Sequence, residues 1–163
     1  GAWGITGIGV PSAILETMAS DPRPQAIQVI TNLLDSAGAL QRYEGPAKPR
    51  EIAASAHRRG VGIMGIRAVQ AGALTSEFDR QLPDDHPDMA DYRRAAAFRD
   101  LSRELGESPA ALAHRYALSM DGVATVILGV KNRAELEECV EAEAKGRLAP
   151  EVMARIDGTA VRG

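Results

Sequence analysis

Four times along the chain, an apolar run bounded by glycine or proline is followed by a segment whose apolar residues recur at helical spacing. The runs are Ala2 to Thr6, Ala26 to Leu33, Val61 to Ile66 and Thr125 to Leu128. The helical segments after them are Ser12 to Met18, Pro49 to Gly60, the pair Asp91 to Leu105 and Pro109 to Met120, and Asn132 to Lys145, with a short last helix from Pro150. Strands joined through helices run parallel with right-handed crossovers. The fold class expected is therefore α/β, built of parallel (β/α) units. A doubly wound sheet and half of an eight-stranded barrel both satisfy this order.

The boundaries carry their own signals. Asp21-Pro22-Arg23-Pro24 keeps any helix from entering the second run. Pro49 suits a first helical turn, Glu51 complements the helix dipole there, and Gly60 ends the helix. Ser108 precedes Pro109 as an N-cap precedes a first helical residue, and Asn132 with Glu135 has the spacing of a capping box. Ala95, Phe98, Leu101 and Leu105 form one stripe, and Leu112, Ala113, Tyr116, Ala117 and Met120 another, so both are expected in the core. Gly72, Pro83 and Pro87 mark a loop, and Asp84 to Asp88 reads as an exposed part of it.

Composition narrows the function. Of 163 residues, 45% are apolar and 25% charged, enough for one structural unit over 1–163 with a sizeable core. With 19 Lys and Arg against 22 Asp and Glu, no global basic field points to nucleic acid or an anionic membrane. One cysteine, Cys139, excludes an internal disulfide and fits a reducing cytoplasm. His57, His86 and His114 show no metal-ligand spacing, so no metal site is expected. The chain opens at Gly1 inside an apolar run, which suggests a piece of a longer protein.

In either architecture ligands bind at the carboxyl ends of parallel strands. Thr6-Gly7-Ile8-Gly9 there resembles part of a dinucleotide fingerprint, but Ser12 occupies the third glycine position. After the fourth run, Gly129 leaves the backbone open, and Lys131 puts a cation beside a helix start at Asn132. This is a phosphate site in outline. A plain strand-to-helix turn with a solvated lysine has the same spacing.

The segments GITGIGVPSAI, IQVITNLLD, GVGIMGIRAVQAGALT and LAHRYALSMDGVATVILGVKNRAELEE resemble the second half of an aldo-keto reductase, and the resemblance runs over essentially the whole chain. It implies the C-terminal half, strands five to eight, of a TIM (β/α)8 barrel, with the N-terminal half of the barrel absent. It also implies reduction of a small-molecule carbonyl substrate, an aldehyde or ketone, with NADP(H) as cofactor in preference to NAD(H). Gln28 matches the residue that bonds the nicotinamide carboxamide, and Thr6 keeps a hydroxyl at the end of the first strand. Arg67 stands after the third strand, where the family has an aromatic followed by serine, and is within reach of a cofactor phosphate. Gly129 and Lys131 match the phosphate cradle and Glu138 the adenine contact, whereas Glu135 and Cys139 depart from the pattern. The family's catalytic tetrad lies on the first four strands, so no catalytic residue is assigned here. The alternative is a non-catalytic half-barrel that serves in binding or assembly.

Overall fold

The computed structural model describes residues 1–160; the last three residues of the expected unit lie outside the described residues. Four strands, β1 (Gly4–Thr6), β2 (Ala26–Ile30), β3 (Gly62–Ile66) and β4 (Val123–Val126), form one parallel sheet in the order β1-β2-β3-β4. A doubly wound sheet reverses its strand order at a switch point. Here the order never reverses, so the helices stay on one face and the sheet is of the barrel type.

The helices are α1 (Pro11–Ala19), α2 (Pro49–Arg58), α3 (Pro87–Arg94), α4 (Ala96–Glu104), α5 (Pro109–Ser119), α6 (Arg133–Ala144) and α7 (Pro150–Gly158). Ile27, Val29, Ile63 and Val123 point from the sheet into the helical layer, where they join Met18, Ile52, Phe98, Leu112 and Tyr116 in one buried cluster. Alternation along a strand sends the intervening residues the other way. Register aligns Thr6, Gln28, Met64 and Thr125 across that second face, all of them exposed or half-buried.

The two expected stripes are buried as predicted, Leu105 excepted, which is half-buried. Three elements differ most from expectation. The second strand stops at Ile30 rather than Leu33, because the Asn32 side chain folds back to accept hydrogen bonds from the amides of Leu34 (3.1 Å) and Ser36 (3.3 Å). The fourth strand is Val123–Val126 rather than Thr125 to Leu128. Gly122, at φ +78°, turns the chain so that Val123 pairs with Ile63 before an irregularity in the register.

The expected helix Asp91 to Leu105 is two helices that meet at Ala95, and the first begins at Pro87. Polar bonds fix α3 through the buried Asp88 and Asp91, while the apolar stripe of Phe98 and Leu101 fixes α4. The two anchors leave Ala95 at φ −82°, ψ 6°, outside helical geometry. Asp88 is thus 3% exposed, and the expectation of an exposed Asp84 to Asp88 loop fails at that residue.

Candidate functional site

The loops after β3 and β4 enclose a groove of about 600 Å³. Gly129, Lys131 and Glu138 all line it, as do Asp79, Arg80, Ser108, His114, Glu135 and Cys139. Its position at the carboxyl ends of the strands follows from the parallel order. Every β-to-α loop of such a sheet opens at the same end.

The start of α6 organises one wall. The Asn132 side chain accepts from the Glu135 amide at 2.9 Å, capping the helix, and Glu135 Oε2 accepts from the Lys131 amide at 2.8 Å. The Glu135 carboxylate is therefore occupied by its own turn. A Cβ built at Gly129 would meet nothing within 4 Å, so the backbone there is open to a ligand. On the second turn, Glu138 Oε1 accepts from the Ser108 hydroxyl, which also caps α5 by accepting from the Ala111 amide at 3.0 Å.

The Lys131 ammonium crosses the groove to the Asp79 carboxylate and lies 3.9 Å from Glu135 Oε1. The Asp79 bond raises the lysine's pKa, and the same bond lowers that of Asp79. Among the charged lining residues, Glu77, Asp79, Glu135 and Glu138 outnumber Arg80 and Lys131.

The other three candidates lie elsewhere. Thr6 and Gln28 are register partners on the sheet face opposite the helices. Arg67 follows β3 at φ +57°, in the left-handed region, and enters a buried polar cluster instead of the groove. Its Nε donates to Gln70 Oε1 at 2.9 Å, and its Nη2 lies 3.7 Å from Asp88 Oδ1. Burial lowers the Arg67 pKa against the opposing pull of Asp88 and Asp91. Gln70 Nε2 donates in turn to Asp91 Oδ2 at 2.6 Å, and Asp88 Oδ1 accepts from the Ala39 amide at 3.2 Å. The cluster pins the loop after β2 to the loop after β3. Arg80, 3.4 Å from Asp88 Oδ2, belongs to both cluster and groove.

Sequence spacing missed Asp79, Ser108 and His114 as groove residues. Ser108 carried a signal as an N-cap; Asp79 and His114 carried none, since their neighbours across the groove are distant in sequence. No group of three His, Cys, Asp or Glu residues among the described residues is placed to hold a metal ion, and no helix there is long and apolar enough to cross a membrane.

A sequential parallel sheet with helices on one face and a groove at its carboxyl ends defines the class of (β/α) barrel proteins. The model of the aldo/keto reductase family matches residues 1–160, and the chain belongs to that family. Its structure is similar to aldo-keto reductase AKR11C1 from Bacillus halodurans. For the apo form the TM-score is 0.70 at 22% identity, over 99% of this chain and 52% of that one. For the holo form it is 0.69 at 22% identity, over 99% and 51%. The chain thus spans about half the length of these structures, and at that identity the likeness concerns the fold. A comparison with curated proteins found no match.

Proposed function

We propose that residues 1–163 are the cofactor-binding, C-terminal half of a barrel that reduces a small-molecule aldehyde or ketone to the alcohol with NADP(H), in preference to NAD(H). The observation that carries this reading is the meeting of Gly129, Lys131 and Glu138 in one groove at the carboxyl end of β4. The cofactor, when bound, supplies the hydride that reaches the carbonyl carbon.

The chain's own residues bind and orient. What an adenosine phosphate would meet is the open backbone at Gly129 and the Lys131 ammonium, which would turn to it from Asp79; the Lys131 and Glu135 amides are already bonded to Glu135 and Asn132. The Lys131 ammonium is the group that supports NADP(H), acting against the Glu135 carboxylate, which is held on the Lys131 amide. Glu138, held by Ser108, offers a fixed acceptor to the adenine amino group. Thr6 and Gln28 present a hydroxyl and an amide on the open face for the nicotinamide end, and Arg67 holds the loop between the two regions. The catalytic groups belong to the barrel's N-terminal half, this chain's partner in the whole enzyme, and the single thiol supports a cytoplasmic setting.

Fluorescence titration of the complete barrel with NADPH and NADH tests the reading. Lys131→Ala should weaken NADPH binding roughly ten- to a hundredfold, by loss of a charge-assisted contact. Unchanged affinity for both cofactors would make the loop a plain strand-to-helix turn. The partly open second face of the sheet, where Thr6 and Thr125 are exposed, and the 40% exposed Trp3 favour a second reading, a half-barrel that works in assembly. Sedimentation of the isolated chain tests it: a monomer at all concentrations rejects that reading.

A further inference from the structure

Lys131 lines the groove from the loop after β4, and a second cation, Arg80, lines it from the loop after β3. The two are held differently. Lys131 is bonded only to exposed carboxylates, whereas the Arg80 guanidinium is fixed from behind: its Nη2 donates to the Ala71 carbonyl and lies 3.4 Å from Asp88 Oδ2, and its carbon stands 4.9 Å from the centre of the Phe78 ring. Its Nε and Nη1 take no acceptor among the described residues. They remain for a ligand.

The anchor for this arrangement is Asp88, 3% exposed, whose Oδ1 accepts from the Ala39 amide at 3.2 Å and lies 3.7 Å from Arg67 Nη2. A buried carboxylate needs a cation, and Arg67 already supplies one. The contact of the other oxygen with Arg80 is therefore surplus to burial and has an effect of its own, which is to fix a guanidinium at the edge of the groove.

We infer that Arg80 binds a diphosphate group, that of the dinucleotide, and that Asp88 is the positioning residue that holds Arg80 for it. The inference rests on the nucleotide reading of the groove and adds the contact that the two cofactors share. Glu138 and Lys131 lie on the α6 side, while Asp88 ties Arg80 to the loop after β2, the strand that carries Gln28. The group between adenine and nicotinamide in either cofactor is the diphosphate. A guanidinium presents paired N–H donors to phosphate oxygens, and one that is held before the ligand arrives loses little further rotamer freedom on binding.

Asp88 acts on a bound phosphate in two ways of opposite sign. As a charge it offsets the Arg80 cation, so its neutralisation alone would tighten phosphate binding. As a brace it keeps the guanidinium in place, so its loss weakens binding. The direction of the change tells a positioning residue from a counter-charge.

The test titrates the complete barrel with NADPH and NADH by fluorescence and with inorganic pyrophosphate by calorimetry. Arg80→Gln, at a side chain 43% exposed, should weaken all three about tenfold, equally for the two cofactors. Asp88→Asn should weaken all three about fivefold, and the double variant should bind no more weakly than Arg80→Gln alone. Arg80→Lys keeps the charge but cannot face Asp88 and the ligand together, and should bind within about twofold of Arg80→Gln. Unchanged affinities in Arg80→Gln, tighter binding in Asp88→Asn, additive losses in the double variant or full rescue by Arg80→Lys would each overturn the inference. Pyrophosphate binding that depends on Arg80, with neither cofactor bound, would remove the nucleotide reading and leave the diphosphate site standing. A wild-type barrel that binds none of the three would overturn both.

Discussion

The ammonium of Lys131 is bonded to the carboxylate of Asp79, a residue 52 positions earlier in the chain. The bond joins the loop after β3 to the loop after β4 across the mouth of the groove. Each partner is exposed, so what the bond supplies is closure of the groove, with little effect on stability.

Asp79→Asn should therefore leave the melting temperature within a degree or two and accelerate both entry and release of a bound cofactor. Stopped-flow fluorescence of the complete barrel measures both rates. Unchanged rates would mean that the two walls do not depend on this bond.

Glu135→Gln keeps an acceptor for the Lys131 amide and removes one of the four carboxylates that line the groove. NADPH affinity should rise a fewfold, about 0.5–1 kcal/mol, with a smaller gain for NADH, which lacks the 2′-phosphate. Equal gains for the two cofactors would place the phosphate away from this helix.

Gly38 sits at φ +53° against the polar cluster, and a Cβ there would lie 2.2 Å from Asp88 Oδ1 and 2.7 Å from Gln70 Nε2. Gly38→Ala combines this clash with an unfavourable backbone. A loss of about 2–4 kcal/mol is expected in urea denaturation. Asp88→Asn should be milder, because an amide oxygen can still accept from Ala39.

Tyr116 is 1% exposed, donates to Asp157 Oδ1 at 2.6 Å and receives a bond from Arg50 Nη2 at 2.5 Å. Burial, then the bond to Asp157, pushes its phenol from 10.0 up to about 12. The fold thus favours the neutral phenol. Its contribution is complete below the ordinary value of 10.0 and disappears as pH rises toward 12. Melting curves between neutral pH and about 11 should show a decline that Tyr116→Phe lacks.

The β-α order, the caps at Ser108 and Asn132 and the stripes around Phe98 and Leu112 were legible because each is set by residues within a few positions of one another. The nearness of Gly129 and Lys131 was legible for the same reason, since both belong to one strand-to-helix connection, whereas Glu138, on the second turn of α6, was singled out only through the family resemblance. Burial of Asp88 was not. It depends on Gly38, Arg67, Gln70 and Arg80 converging from separate loops, and a loop has no periodicity to announce its contacts. The turn of Arg67 away from the groove was equally hidden, because it follows from a left-handed backbone at a non-glycine residue, which spacing does not reveal. Asp79 and His114 failed as site residues on the same ground: their partners are 52 and 25 positions away.

The strand order β1-β2-β3-β4 also decides how the isolated chain comes apart. Each strand lies beside its sequence neighbour, so loss of β1 or β4 leaves every other pairing intact, whereas loss of β2 or β3 severs the sheet. Opening should then spread inward from the two margins. Amide hydrogens of Ile27, Val29 and Ile63 should outlast those at Ile5 and Thr125 by orders of magnitude in hydrogen exchange.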